Sequence, residues 1–139
     1  MAEDRIQLQI ITAEGVKYDK MVSYAELPLE GGGIGVLPDH APLMAAVADG
    51  PVKCVYEGDK EEFIYVGTGV VDIYQNKVIL LVRTAETAET IDLARAKAAE
   101  KRAQERLLSK AANVDLARAE ASLHRAIGRV KTYDMWHKQ

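Results

Sequence analysis

The chain has 139 residues, a formal net charge of −3 and an apolar fraction of 48%, a composition that supports a packed core and argues against wholesale disorder. No apolar run approaches the ~20 residues of a membrane helix, and the acidic start MAEDRIQLQI does not read as a secretory signal. A single cysteine, Cys54, excludes an internal disulfide and any zinc site built from several cysteines.

Residues 1–86 alternate in the manner of strands. RIQLQIIT sets Ile6, Leu8 and Ile10 on one face and Gln7 and Gln9 on the other. The triple Gly31-Gly32-Gly33 precedes the strand-like IGVLP and not a helix, so it reads as a tight turn or bulge and fails the context of a phosphate loop. His40, in LPDHAPL between two prolines, is expected to stabilise a turn through a hydrogen bond. PVKCVYE reads as a strand with Cys54 as a buried, inert thiol. EEFIYVG, GVVDIYQ and KVILLVR are β-branched or aromatic runs punctuated by EGDK, GTG and YQNK. This grammar predicts an antiparallel β-sandwich or flattened barrel, with runs apolar on both faces, such as VILLV, at its centre.

Residues 87–139 follow different rules. All four prolines and nine of the ten glycines lie before them. Their alanine content and spacing predict helices over 91–108 and 114–133, with Thr90 and Asn113 as N-caps. The short link SKAAN makes the pair an antiparallel hairpin. Leu116, Ala119, Leu123, Ala126 and Val130 form one apolar seam, answered by small residues including Ala94, Ala98 and Ala103. Burying alanine yields little of the ~25 cal/mol per Å² area term, so the hairpin is expected to be marginal and to depend on a ligand or partner.

Charge divides the same way. Residues 1–86 hold seven Lys/Arg and fourteen Asp/Glu, and residues 87–139 hold eleven and seven, giving −7 and +4. Both helices begin almost identically, IDLARAKA and VDLARAEA. That repeat favours ordinary helix chemistry: acids at the positive helix end and i,i+3 pairs Asp92–Arg95 and Asp115–Arg118, worth ~0.2–0.5 kcal/mol each. The arginine spacing points further. Asp92, Arg95, Ala99, Arg102 and Arg106 fall on one stripe, and Arg118, Ser122, Arg125 and Arg129 on another. Six like charges facing one another across a hairpin are relieved by a di- or triphosphate, whose oxygens match the planar guanidinium fork. Asp92 and Glu86 would then accept hydrogen bonds from a base or ribose, or orient the arginines. Solvation, or an acidic protein surface, would also accommodate the same charges.

Over nearly its whole length the chain resembles the epsilon-subunit family of bacterial F-type ATP synthases, of the ATP-binding kind. GGGIGVLPDHAPLMAAVADG resembles that family's G-x-L-P-x-H-x-P-L stretch, and EEFIYVGTGVVDI its F-I-x-V-x-G-G-x-x-E-V segment. Departures are modest: Asp39 where glycine is common, Gly67-Thr68-Gly69 for Ser-Gly-Gly, and Asp72 for glutamate. The resemblance implies a β-sandwich over 1–86 that packs on the gamma subunit and the c-ring. It implies a regulatory helical hairpin over 87–139 that binds ATP when folded. Extended, the hairpin reaches the catalytic alpha and beta subunits and inhibits ATP hydrolysis. Such a subunit is a non-catalytic part of the proton-translocating rotor, peripheral on the cytoplasmic face of the bacterial cell membrane. Ile91-Asp92-Leu93-Ala94-Arg95-Ala96 matches the family's I/L-D-x-x-R-A motif. Glu86 matches its upstream glutamate, Arg102 an arginine further along the first helix, and Arg125 and Arg129 two on the second. Arg118 is a weaker match. The resemblance thus implies ATP as a regulatory ligand held by Glu86, Ile91, Asp92, Arg95, Ala96, Arg102, Arg125 and Arg129, with Mg²⁺ left open as its companion. In the alternative reading, the arginines serve only the acidic catalytic subunits, without physiological ATP binding.

The remaining candidates for chemistry are few. His40, His124 and His137 have no metal-ligand spacing. His124 reads as a surface residue, and His137 sits in a polar tail, MWHKQ, expected to fray. No nucleophile, base and orienter come together in the sequence. Arginine stripes can track a nucleic-acid backbone, but the hairpin has few aromatics for stacking and the acidic first half would repel the polymer. No nucleic-acid partner is expected.

Overall fold

A computed structural model describes residues 4–109 and 115–139. Ten strands come first: β1 Ile6–Thr12, β2 Gly15–Val22, β3 Tyr24–Leu29, β4 Gly32–Val36, β5 Leu43–Val47, β6 Gly50–Tyr56, β7 Lys60–Val66, β8 Gly69–Tyr74, β9 Lys77–Val82 and β10 Ala85–Thr87. A 3-10 turn, Ala88–Thr90, leads into helices α1 Leu93–Leu108 and α2 Leu116–His137. The predicted β-sandwich followed by a helical pair is the observed architecture.

The strands hydrogen-bond in one path, β10-β7-β6-β3-β5-β8-β9-β1-β2, with β4 on the flank of β3. Between β3 and β5 the path narrows to a single residue pair, Leu29 with Val47. There the sheet folds back, and one core lies between its two halves. Leu8 and Ile10 of β1, Val22 of β2, Val36, Val47, Val52, Ile64, Val71 and Leu80 all belong to that core. The halves also meet at their far ends, where the Tyr18 hydroxyl lies 3.1 Å from Cys54 Sγ. Burial pushes the Cys54 thiol and the Tyr18 phenol upward from their ordinary pKa ranges. Cys54 is thus the buried thiol its strand context predicts. Lys20 pairs with Glu62 beside it. Pairing is antiparallel throughout except β1 with β9, which run parallel from Gln7/Lys77 to Ile11/Leu81.

The period-2 alternation of β1 is realised in full, with Ile6, Leu8 and Ile10 buried. Glu30 and Gly31 form the β3–β4 turn, and Gly31 and Gly32 take positive φ there. That conformation is what the glycine triplet supplies. His40 holds its turn as expected: its backbone N–H donates to Leu37 O at 3.2 Å, and Nδ1 lies 2.6 Å from Ala41 O.

Two runs are apolar on both faces, and they meet different fates. In β7, Ile64 and Val66 face the core, and Phe63 and Tyr65 are buried as well, because α2 packs across β6 and β7. In β9, the centrally placed VILLV run, Val78, Leu80 and Val82 are buried, while Leu81 on the other face is 51% exposed. Val70, its cross-strand neighbour, is 49% exposed and Met44 on β5 is 75% exposed. No element of the described chain covers this outer face.

The helical pair differs from its predicted form in four ways. First, α1 starts at Leu93, capped by Asp92, not Thr90. Thr90 is held in the 3-10 turn, where its hydroxyl donates to Thr87 O at 2.7 Å. Second, α2 starts at Leu116, capped by Asp115; Asn113, the predicted cap, and Val114 lie outside the described residues. Third, α2 does not end at 133. It runs to His137, with Tyr133 edge-on to Trp136 and stacked on His137, and Gln139 Nε2 donates to Glu61 O at 3.4 Å. Fourth, the seam between the helices is Ala96 and Ala103 against Ala119 and Ala126, all buried. Ala94 and Ala98 point to solvent, and Leu116 is exposed. The phase of an alanine-rich helix is weakly encoded, because alanines occupy several faces and none buries much area.

Candidate functional site

The Asp92 carboxylate is the first component of the site. Its Oδ1 accepts from the Arg95 backbone N–H at 3.0 Å, the standard bond of an N-cap residue. Asp115 does the same for Arg118 N–H at 3.1 Å. The repeated D-x-x-R is therefore a repeated cap. The expected side-chain ion pairs Asp92–Arg95 and Asp115–Arg118 do not form, because each carboxylate is spent on the backbone amide three residues on. Among the described residues, capping leaves the Arg95 guanidinium without an ion-pair partner.

That guanidinium enters a cavity of about 420 Å³ between the helices, lined by Glu86, Thr90, Asp92, Arg95, Ala96, Ala99, Arg102, Ser122, Arg125, Ala126 and Arg129. The N-terminal two-thirds of α1 face the middle of α2. Alanines at the seam let the two backbones approach, and the arginines border the space this leaves. Among the described residues, the guanidinium groups of Arg95 and Arg102 meet no carboxylate, and Arg125 donates from Nη2 to Ser122 Oγ at 3.1 Å. Among the described residues, three arginines that make no ion pair border a cavity whose lining also includes the Asp92 and Glu86 carboxylates.

Arg129 is different. Its Nε lies 3.1 Å from Glu86 Oε2 and its Nη2 3.2 Å from Glu86 Oε1, a bidentate pair. Glu86 sits on β10, directly across from Tyr65 on β7. The Arg129 guanidinium lies over the Tyr65 ring at 4.8 Å from its centroid, within cation–π range. Tyr65 is fully buried, and its hydroxyl donates to Asp49 Oδ1 at 3.1 Å. Burial, then the nearby Asp49 charge, pushes its phenol upward and keeps the proton in place.

Of the sequence-derived site residues, Glu86, Asp92, Arg95, Ala96, Arg102, Arg125 and Arg129 line the one cavity. Ile91 does not. Its side chain is only 6% exposed and its backbone N–H closes the 3-10 turn on Ala88 O at 3.1 Å, so it fixes the entry of the chain into α1. Arg106 and Arg118, the outer members of the two stripes, also lie beyond the lining. Sequence reasoning missed Tyr65, which is distant in the chain, and Thr90 and Ser122 as wall residues. Ser122 was on the second stripe, and only its helical position could have indicated its role.

The arrangement can hold an anion. Guanidinium groups that meet no carboxylate among the described residues favour negative charge, and their spread along two helices suits a ligand bearing several phosphates more than a single point charge. The residues present thus fit a nucleoside polyphosphate.

Comparison with known proteins bears on the whole chain. The family "ATP synthase, Delta/Epsilon chain, beta-sandwich domain" matches residues 5–88, and the corresponding "long alpha-helix domain" matches residues 89–134. The ATP synthase epsilon chain of Desulforamulus reducens is 39% identical over 125 residues, covering 90% of this chain and 94% of that one. That of Lawsonia intracellularis is 42% identical over 107 residues, covering 76% and 79%. Among solved structures, a chain in the mitochondrial ATP synthase of Euglena gracilis has the same fold, with a TM-score of 0.82 at 20% identity over 92% of this chain and 81% of that one. With both of its parts matched in order and curated relatives spanning nearly their full lengths, the chain belongs to the ATP synthase delta/epsilon family, as an epsilon chain.

Proposed function

We propose that this epsilon chain is a central-stalk subunit of a proton-translocating F-type ATP synthase, and that its hairpin senses ATP. The observation that carries the ATP reading is the set of three arginines, Arg95, Arg102 and Arg125, that line one cavity and meet no carboxylate partner among the described residues. The cavity has walls on both helices, so it exists only while the hairpin is folded.

In this reading the phosphates sit on Arg95, Arg102, Arg125 and Arg129. Arg129 also remains the link to Glu86. Asp92 and Glu86 stand at the polar end, where a ribose or base would find acceptors. A ligand that binds only the folded hairpin stabilises it by RT ln(1 + [L]/Kd), and shifts the population no further than that difference allows. High ATP keeps the hairpin docked. Low ATP releases it to extend towards the catalytic alpha and beta subunits, where it inhibits hydrolysis. The chain is regulatory in this account and performs no catalysis. The sandwich serves the rotor: its exposed apolar face, with Met44, Val70 and Leu81, packs on the gamma subunit, and the sandwich also meets the c-ring. The complex places the chain peripherally on the cytoplasmic face of the cell membrane.

One observation favours a second use of the same charges. Arg106 and Arg118 lie beyond the cavity, available to acidic surfaces of the catalytic subunits. If these contacts are the only purpose of the stripes, the hairpin inhibits without ATP.

Calorimetric titration of the full chain with ATP, with and without Mg²⁺, separates the two readings. The first expects saturable binding in the wild type and a loss of well over tenfold in an Arg95→Ala/Arg125→Ala double variant. Equal affinity in both proteins would falsify the ATP site and leave the second reading.

A further inference from the structure

We propose that Tyr65 is a positioning residue for the arginine cavity, and that it makes anion affinity conditional on α2 being docked to the sandwich. The proposal rests on the polyphosphate reading of the cavity. It starts from the junction at which Arg129 and Glu86 meet Tyr65, a residue that reading does not use. Tyr65, Glu86 and Arg129 come from β7, β10 and α2 and meet on the outer face of the sheet. Glu86 and Tyr65 are cross-strand partners. Arg129 covers the ring at 4.8 Å while its Nε and Nη2 both reach the Glu86 carboxylate.

Arginine is long, and an unrestrained guanidinium loses much rotamer freedom when a ligand fixes it. Arg129 has already lost it. The ring holds one face of its plane, and Glu86 takes the Nε edge. Pre-holding a binding group reduces the entropic cost of association. Tyr65 is itself fixed, because it is fully buried and its hydroxyl is tied to Asp49.

The same ring seats the helix. The residue before Arg129 is Gly128, and its α-carbon approaches Tyr65 so closely that a Cβ there would lie 2.7 Å from Cε1. The same ring therefore receives the backbone of α2 at residue 128, against Cε1 and Cδ1, and orders the cation at residue 129. When α2 lifts, Arg129 loses its platform and its acid together, and the cavity loses an ordered wall. Among the described residues Arg125 also lies within electrostatic range of the Tyr65 phenol, but of the cavity arginines Arg129 alone combines the ring contact with an ion pair to a sandwich carboxylate, which makes it the arginine through which docking is felt.

The test is calorimetry with ATP and with inorganic tripolyphosphate on the full chain, using Tyr65→Phe, Tyr65→Leu, Arg129→Ala and the Tyr65→Leu/Arg129→Ala double variant. Tyr65→Phe keeps the ring but removes its tie to Asp49, and should lose less affinity than Tyr65→Leu. Tyr65→Leu should lose at least tenfold. In the Arg129→Ala background the same leucine should cost clearly less than in wild type, because only the loss of the helix seat at Gly128 remains. A leucine penalty of equal size in both backgrounds overturns the proposal, since Tyr65 would then act on packing alone. Wild-type NMR provides the check that does not depend on a variant folding. The Arg129 Nε–Hε signal should carry a ring-current shift that persists at saturating tripolyphosphate, and its disappearance overturns the proposal. Absence of any binding to wild type overturns the polyphosphate reading and this inference with it. Binding that is indifferent to Tyr65→Leu overturns this inference only.

Discussion

Gly128 rests its α-carbon against the Tyr65 ring, where an added Cβ would stand 2.7 Å from Cε1. Glycine inside a helix costs about 1 kcal/mol relative to alanine, so on helix propensity alone Gly128→Ala should stabilise α2. The ring cannot retreat, because it is buried and its hydroxyl is bonded to Asp49. Overpacking of this kind costs about 1–3 kcal/mol, and the predicted net result is a hairpin that leaves the sandwich. Trp136, the only tryptophan, sits near Phe63 and Tyr56 on the docked face and reports the change. Gly128→Ala should increase acrylamide quenching of its emission while the far-ultraviolet helix signal is kept. Unchanged quenching would count against Tyr65 as the seat of the helix.

The repeated caps provide a matched pair. Asp92→Ala and Asp115→Ala should each destabilise the hairpin by about 1 kcal/mol through the lost cap. Only Asp92 also lines the cavity. Asp92→Ala should therefore weaken ATP binding by well over tenfold, and Asp115→Ala by only a few-fold. Equal losses in the two variants would mean that Asp92 acts solely as a cap.

The open face of the sandwich gives a third expectation. Leu81→Glu and Val70→Glu place a charge on side chains already about half exposed, and surface substitutions of this kind usually change stability by about 0.5 kcal/mol or less. The isolated protein should melt close to wild type. Assembly with a gamma subunit, followed by co-purification, should be lost if this face is the rotor contact. Full retention of assembly would direct attention elsewhere on the sandwich.

Alkaline pH should weaken the sandwich through Tyr18 and Cys54. Burial raises both pKa values in the folded chain. Below the ordinary thiol and phenol ranges both groups are protonated whether folded or not, and their contribution is fully present. Above those ranges the unfolded chain sheds protons that the folded chain retains, so stability falls as pH rises, with a slope approaching about 1.4 kcal/mol per pH unit for each group. Urea midpoints measured from about pH 9 to 12, across the ordinary phenol range, should fall less steeply for Tyr18→Phe than for wild type. Parallel slopes would remove Tyr18 from the explanation.

Removing residues 87–139 should release hydrolysis by an assembled ATP synthase at low ATP and have little effect at high ATP. Indifference at low ATP would end the inhibitory role of the hairpin, whatever its affinity for nucleotide.

How much of this was legible in the chain depended on how far apart the partners lie. Ile6, Leu8 and Ile10 could be assigned to the core from neighbours alone, because a strand's period is local. The arginine stripes were legible for the same reason, since helical spacing places Arg95 and Arg102 together whatever the helix packs on. Thr90 was misread as a cap because a 3-10 turn occupies Ala88–Thr90, and nothing in AETIDL distinguishes one extra turn from the helix start. The extension of α2 to His137 was hidden because its stabilising surface is β6 and β7, far back in the chain. Glu86 and Arg129 are 43 residues apart, and their pairing follows from the β10–β7 register, which no helical or strand period records.

The parallel pairing of β1 with β9 bears on biosynthesis. Gln7 finds its partner only at Lys77, so a nascent chain leaving the ribosome carries its first hairpin with one open edge until residue 77 and its followers emerge. Such long-range closure slows folding. It also sets an order of events: β6 and β7, where α2 lands, are translated and able to pair before any helix exists to dock on them.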